Sequence, residues 1–347
     1  MSKLSGISIL GYGAYIPMFR IKAAEISRVW GLSESELPVV EKSVNSVDED
    51  TATIAAEAAS YAVARAGIDP SKIGAVYVGS ESHPYAVKPT GTIVAEVLGV
   101  NSRLLSADLE FACKAGTEAM ELVTGLVASG MIEYGLAIGA DTAQGKPRDA
   151  LEYTAASGGV AVVIGRSGEG AIADLEYASS YVTDTPDFWR RGHERYPMHG
   201  SRFTGAPAYF HHIISAVRMV QEDGYSLEEF DYAVFHQPNS KFPFAVAKML
   251  GIPAKKVEPG VVVNVIGNTY AASSMMGLAK VLDQAKPGEK ILMASYGSGA
   301  GSDVFIFRVK EGVLAKRNRA PLVSELIERK RYIDYALYLK ARGKIRE

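Results

Sequence analysis

A chain of 347 residues, 48% hydrophobic and 22% charged, has ample apolar material for a large core and ordinary globular charge density, which excludes a disordered, collagen-like or coiled-coil polypeptide. Its 37 basic and 39 acidic residues leave a net charge of −2, so no global field draws it onto nucleic acid or an anionic membrane. The single cysteine, Cys113, excludes an intrachain disulfide and favours a reducing cytoplasm.

Met1 leads into a short strand, Ile7–Leu10, not into a charged cap and a long apolar run, so no export signal is expected. No stretch reaches the roughly 18 uninterrupted apolar residues of a membrane span. Gly11-Tyr-Gly13 lacks the third glycine and distal acid of a dinucleotide loop, and no Gly-Lys-Ser/Thr occurs, so no nucleotide cofactor is expected. An Ala-rich helix over residues 52–66 should stop at Gly67, with Asp69-Pro70 turning into a strand over Ile73–Gly79. A helix over Cys113–Ser129, a strand over Gly135–Gly139 and the buried run Gly158–Gly165 continue the alternation of an α/β layer fold.

An internal repeat organises the chain. Val94-Ala-Glu-Val-Leu-Gly-Val100 is echoed by Val246-Ala-Lys-Met-Leu-Gly-Ile252. Upstream, the strand ending in Gly79-Ser80-Glu81 matches the one ending in His236-Gln237-Pro238. Downstream, the turn at Ala112–Gly116 matches Gly267–Ala271, and the strands Leu136–Gly139 and Ile291–Ala294 correspond. Two similar halves, 1–166 and 167–310, are therefore expected about a pseudo-twofold axis, because the period is far too long for a solenoid. Polar groups in α/β sheets gather at the carboxyl ends of strands, beside helix N-termini. In this repeat those positions hold Glu81, Cys113, His236 and Asn268, which should converge.

Each of the four has a plainer reading. Free cysteines are usually buried small hydrophobes; Cys113, however, opens a helix whose dipole favours thiolate, and Ala112, Ala115, Gly116 and Ala119 clear space around it. Most glutamates placed like Glu81 are solvated loop residues, and His236 reads as a satisfied core histidine and Asn268 as a helix cap. The remaining histidines lack zinc-ligand spacing, so no metal is expected. Residues 184–209 interrupt the second half with prolines, aromatics and Arg190, Arg191, Arg195 and Arg202, which suit either coenzyme phosphates or a solvated rim. The tail, 311–347, is basic and carries Tyr332, Tyr335 and Tyr338 at a spacing that permits docking onto a partner subunit.

Glu-Phe-Ala-Cys113-Lys-Ala-Gly, Phe235-His236-Gln-Pro, Gly267-Asn268-Thr and Tyr296-Gly-Ser298-Gly together resemble the thiolase superfamily over nearly the whole chain. Gly79-Ser80-Glu81-Ser82 and Asp187-Phe188-Trp189-Arg190 resemble, within it, the hydroxymethylglutaryl-CoA (HMG-CoA) synthase family in its short archaeal-type form. The resemblance implies a thiolase-like fold layered α-β-α-β-α and a Claisen-type condensation of acetyl-CoA with acetoacetyl-CoA in the mevalonate route. Cys113 would be the nucleophile, Glu81 the acid/base and His236, with Asn268, the group that orients acetoacetyl. The Ser298 N–H would serve the oxyanion, Arg202, Thr204 and Lys241 would contact coenzyme A, and Thr154 the acyl portion. No metal or redox cofactor is implied. A homodimer is, as is a complex with an acetoacetyl-CoA thiolase and a small OB-fold scaffold protein. The alternatives are a β-ketoacyl synthase III-like condensing enzyme, which shares the Cys, His and Asn but not this glutamate, and a non-catalytic thiolase-like subunit.

Overall fold

The alternating pattern resolves into nine strands of one mixed sheet: β1 (Ile7–Tyr15), β2 (Ile73–Gly79), β3 (Leu105–Leu109), β4 (Tyr134–Thr142), β5 (Ser157–Arg166), β6 (Ala173–Val182), β7 (Tyr232–Phe235), β8 (Lys290–Ala294) and β9 (Gly301–Val309). This computed structural model describes residues 3–299 and 301–345. The strand order is β7-β8-β9-β6-β1-β5-β4-β2-β3. In the first half β4 runs parallel to β2 and antiparallel to β5, which pairs antiparallel with β1. The second half repeats this: β8 is parallel to β7 and antiparallel to β9, which pairs antiparallel with β6. The halves meet where β1 touches β6, at only Ser8 with Asp174 and Ile9 with Ala173.

The helices that matter for the site are α1 (Thr51–Ala66), α2 (Thr90–Leu98), α3 (Ala115–Ala128), α4 (Phe210–Glu222), α5 (Phe242–Met249), α6 (Ser273–Leu282) and α7 (Tyr335–Ala341). Asp50 starts α1 by accepting from the Thr53 N–H at 2.8 Å, and Gly67, at φ +68°, ends it as its sequence position requires. Strand β5 shows why its run is apolar throughout. Val160, Val162 and Ile164 face a central core with Met120 and Val123 of α3 and Met275 and Leu278 of α6. Ala161 and Val163 face the opposite side, against Ala55, Ala59 and Ala62 of α1. On the second half, Ile213 and Val217 of α4 cover Val304 and Ile306 of β9. An outer helix, the first half of the sheet, paired α3 and α6, the second half of the same sheet and an outer helix form five layers.

A small sheet of Phe19–Lys22, Glu41–Val44 and Arg331–Tyr332 leads into the tail. Here the expected docking of the tyrosines onto another subunit is corrected. Tyr338 is only 2% exposed and accepts from Lys42 Nζ at 3.3 Å, while Tyr335 donates to Glu152 at 3.0 Å. Buried Lys42 and Glu152 need polar partners, and the tail of the same chain supplies them. Arg342 completes the attachment by donating to the carbonyls of Thr142 (2.6 Å) and Ala143 (2.8 Å). Tyr332 stays 48% exposed, and residues 346 and 347 of the tail lie outside the described ones.

Candidate active site

Strand β2 ends at Gly79, where a Cβ would lie 2.1 Å from the Ala115 carbonyl carbon. Only glycine lets this strand end abut the start of α3, and the next residues, Ser80 and Glu81, therefore emerge beside the turn that carries Cys113. That turn is held by Lys114, which is fully buried, donates to Asp303 at 2.8 Å and to Glu118, and lies 3.6 Å from the Phe111 ring centroid. Two members of the acidic group Glu118, Glu121 and Asp303, namely Glu118 and Asp303, thus have Lys114 as their cation.

Cys113 is 5% exposed, and its Sγ donates to Glu81 Oε1 at 3.1 Å. Burial pushes its thiol well above the usual range, and the nearby Glu81, Asp141 and Asp187 push the same way. The thiolate preference expected from the helix dipole is therefore reversed in the resting site: a dipole acts over one turn, and burial first, then the three carboxylates from other segments, oppose it. Burial, then the charge of Asp141, raises Glu81 to about 8; the thiol hydrogen bond and Arg190 pull it partly back.

In the second half His236 sits at the tip of β7. Its N–H donates to Ala294 at 3.1 Å, its carbonyl accepts from the Tyr209 hydroxyl at 2.7 Å, and its Nδ1 is buried without a partner. Burial drives the imidazole down to about 3, so it is neutral at ordinary pH. Its ring lies 6.2 Å from Tyr296, whose hydroxyl donates to Asp187 at 2.7 Å. Among the described residues no hydrogen bond joins His236 to Cys113 or Glu81. Asn268 is stitched to the first half, its N–H donating to Thr154 O at 2.8 Å and its carbonyl accepting from Ala156 at 3.0 Å. Its Oδ1 caps Tyr270 N at 2.9 Å, and Tyr270 packs with Cys113, Ala143 and Ala155. The Tyr296–Ser298 loop comes close because Gly297 has no side chain; a Cβ would lie 2.5 Å from Phe111 O.

Asp141, at the end of β4, joins the halves. One carboxylate oxygen accepts from Ser80 Oγ (2.7 Å), Glu81 N (2.8 Å) and Ser82 Oγ (2.7 Å), and the other from Ala271 N (2.9 Å). The repeat did not single out this aspartate, although the strand-end rule that found Glu81 applies equally to Gly139-Ala-Asp141. Tyr270 gave no comparable signal.

Of the expected coenzyme contacts, Arg202 and Thr204 line one cavity of about 530 Å³ with Phe188, Phe210 and Phe242, and Thr154, expected at the acyl portion, lines the same cavity. Lys241 is exposed and does not line it, but its N–H donates to Asn239, which does. Arg190 and Arg195 face a different, polar cavity on the Glu81 side, and Arg191 is exposed.

Residues 220–309 match the family model "3-Oxoacyl-[acyl-carrier-protein (ACP)] synthase III C terminal". The hydroxymethylglutaryl-CoA synthase of Thermococcus gammatolerans is 58% identical over 339 residues, covering 97% of this chain and 96% of that one. The synthase of Archaeoglobus fulgidus is 57% identical, covering 98% and 99%. The chain belongs to the hydroxymethylglutaryl-CoA synthase family. The fold agrees: MvaS in complex with 3-hydroxy-3-methylglutaryl coenzyme A superposes with a TM-score of 0.87 at 21% identity, covering 99% of this chain and 92% of that one. A 3-oxoacyl-[acyl-carrier-protein] synthase III from Aquifex aeolicus has the same fold, with a TM-score of 0.80 at 22% identity over 87% of this chain and all of that one. Both segments expected to mark an HMG-CoA synthase meet at this site, since Arg190 Nη2 donates to the Glu81 carbonyl at 3.2 Å. No helix among the described residues is long and apolar enough to cross a membrane.

Proposed function

We propose that this HMG-CoA synthase works through Cys113, Glu81 and His236, and the observation that carries the assignment is the 3.1 Å contact between the Cys113 sulfur and the Glu81 carboxyl. Cys113 attacks the carbonyl of acetyl-CoA, the coenzyme thiol leaves, and an acetyl thioester remains. The N–H groups of Cys113 and Ser298 hold the oxyanion, and the close seating of Gly297 on Phe111 supports that pairing. Glu81, within reach of anything bound to the sulfur, removes a methyl proton. The resulting carbanion attacks the ketone carbon of acetoacetyl-CoA, and Glu81 returns its proton to the alkoxide. Neutral His236, with its unpartnered Nδ1, and Asn268 orient the acetoacetyl group. Water then cleaves the Cys113 thioester to give HMG-CoA. Coenzyme A occupies the cavity of Thr154, Arg202 and Thr204, with Lys241 near its mouth.

Mass spectrometry of the intact chain after brief exposure to acetyl-CoA tests this reading. An acetyl adduct on Cys113 that acetoacetyl-CoA converts to HMG-CoA is the expected result. Dependence on malonyl groups, with loss of CO2, would instead mark a ketoacyl synthase, and an unreactive thiol a passive subunit. A homodimer is also proposed. The sheet edge at β3 exposes Leu105, and an open strand edge favours pairing with a second copy. Sedimentation as a monomer would remove that part. The cytoplasmic setting rests on the lone free thiol, and association with a thiolase and an OB-fold protein on the resemblance alone.

A further inference from the structure

Three cavities approach the site. The largest is apolar and carries Thr154, Phe188, Arg202 and Thr204. The polar one, about 270 Å³, is lined by Glu81, Thr142, Gln144, Arg190, Arg195 and Tyr270, and shares none of those four. The rings of Phe188 and Tyr270, 6.2 Å apart, lie between these two. A third, about 280 Å³, shares Phe188 with the apolar cavity and Glu81 and Arg190 with the polar one. Cys113 itself does not line the polar chamber, but three of the wall residues adjoin it: Ala143 and Tyr270 pack on Cys113, and Glu81 touches the sulfur.

Two residues of this chamber's walls each carry a buried polar atom with no hydrogen-bond partner in the protein, the Tyr270 hydroxyl and Gln144 Oε1. Orphaned buried polar atoms beside a roomy polar cavity are the setting in which ordered water binds, at roughly 30 Å³ per molecule. Tyr270 is also held at φ +52°, a strained conformation for a residue with a side chain, and such strain concentrates at working sites.

We propose that this chamber delivers the water that hydrolyses the condensed Cys113 thioester, while the coenzyme-bearing chain still fills the apolar cavity. The proposal rests on the condensation reading above. The water oxygen adds to the thioester carbonyl carbon and the carbon–sulfur bond breaks. One water proton goes to the Cys113 sulfur and the other leaves through Glu81, so the new carboxylate forms facing the chamber and Arg190. No oxidant or further reactant is needed.

Narrowing the chamber with Gln144→Trp, and removing its acceptor without added bulk with Gln144→Leu, tests the route. Rapid-quench intact mass spectrometry should show acetylation of Cys113 at the unaltered rate and hydrolysis slowed about tenfold, so that the whole condensed thioester accumulates on Cys113. Gln144→Leu keeps the test decisive if the tryptophan variant does not fold. Unchanged turnover in Gln144→Leu, or accumulation of the acetyl form instead of the condensed one, overturns the proposal. An unaltered protein whose Cys113 never takes up acetyl would overturn the reading on which it rests.

Discussion

In a Glu81→Ala protein, Cys113 is expected to take up acetyl groups at least as readily as in the unaltered chain, while formation of HMG-CoA falls by about three orders of magnitude. The two halves of this result have different causes. The Glu81 charge and its hydrogen bond both push the Cys113 thiol upward, so removing them makes the thiolate easier to reach. Condensation, by contrast, needs a base at the methyl group of the acetyl thioester, and Glu81 is the carboxyl in contact with the sulfur that carries it. Intact mass measured alongside product formation separates the two steps. Loss of acetylation with retained condensation would refute the assignment.

The same carboxyl links activity to stability. Raised from 4.5 to about 8, Glu81 acts as a base only as it loses its proton, so the condensation rate should climb with pH through about 8. Between those values the folded protein holds a proton that the unfolded chain has already released. Its stability therefore falls as pH rises across that window; the cost is absent below about 4.5 and complete above about 8. An isosteric Glu81→Gln protein escapes this cost. It should be the more stable one, by on the order of a few kcal/mol at the alkaline end, with little gap under acid conditions, as denaturant midpoints across pH would show.

Where sequence reasoning succeeded and where it failed follows from the range of the interactions involved. Strand tips and helix starts are local patterns, and a duplicated unit displays each of them twice. Glu81, Cys113 and His236 could therefore be placed just beyond the carboxyl ends of their strands from the sequence alone, whereas Asn268, expected at a strand end as well, follows the short helix Val263–Ile266. The protonation of Cys113 could not be read there, because it is set first by burial in the folded chain and then by Glu81, Asp141 and Asp187, which come from other elements. Tyrosines at three-residue spacing announce a buried helix face, but nothing in that spacing says whose surface covers it; Lys42 and Glu152, far away in the chain, decide that. The left-handed Tyr270 backbone is likewise a product of tertiary packing, since its side chain would ordinarily forbid it.

Asp141→Asn is expected to reduce turnover by about a hundredfold and to move the rising limb of the pH–rate profile to lower pH. Its four partners all donate. The Ser80 and Ser82 hydroxyls each already accept from a backbone N–H, at 3.0 and 2.9 Å, which leaves their protons for the carboxylate. An asparagine has one acceptor and one donor end, so its NH2 must oppose either Ala271 N or the Ser80–Ser82 donors, wherever it is turned. That mismatch costs about 1–3 kcal/mol and loosens the segment that holds Glu81 3.1 Å from the sulfur. A shift of well under 1 Å in a reacting group is enough to forfeit much of the benefit of orientation. The displaced limb has a separate origin. Asp141 is the largest charge holding Glu81 up, so neutralising it lets the carboxyl ionise earlier, and a merely loosened site would lower the rate without moving the profile. Rate profiles of both proteins decide between these outcomes. A limb that stays in place would show that Asp141 braces the loop without tuning the base.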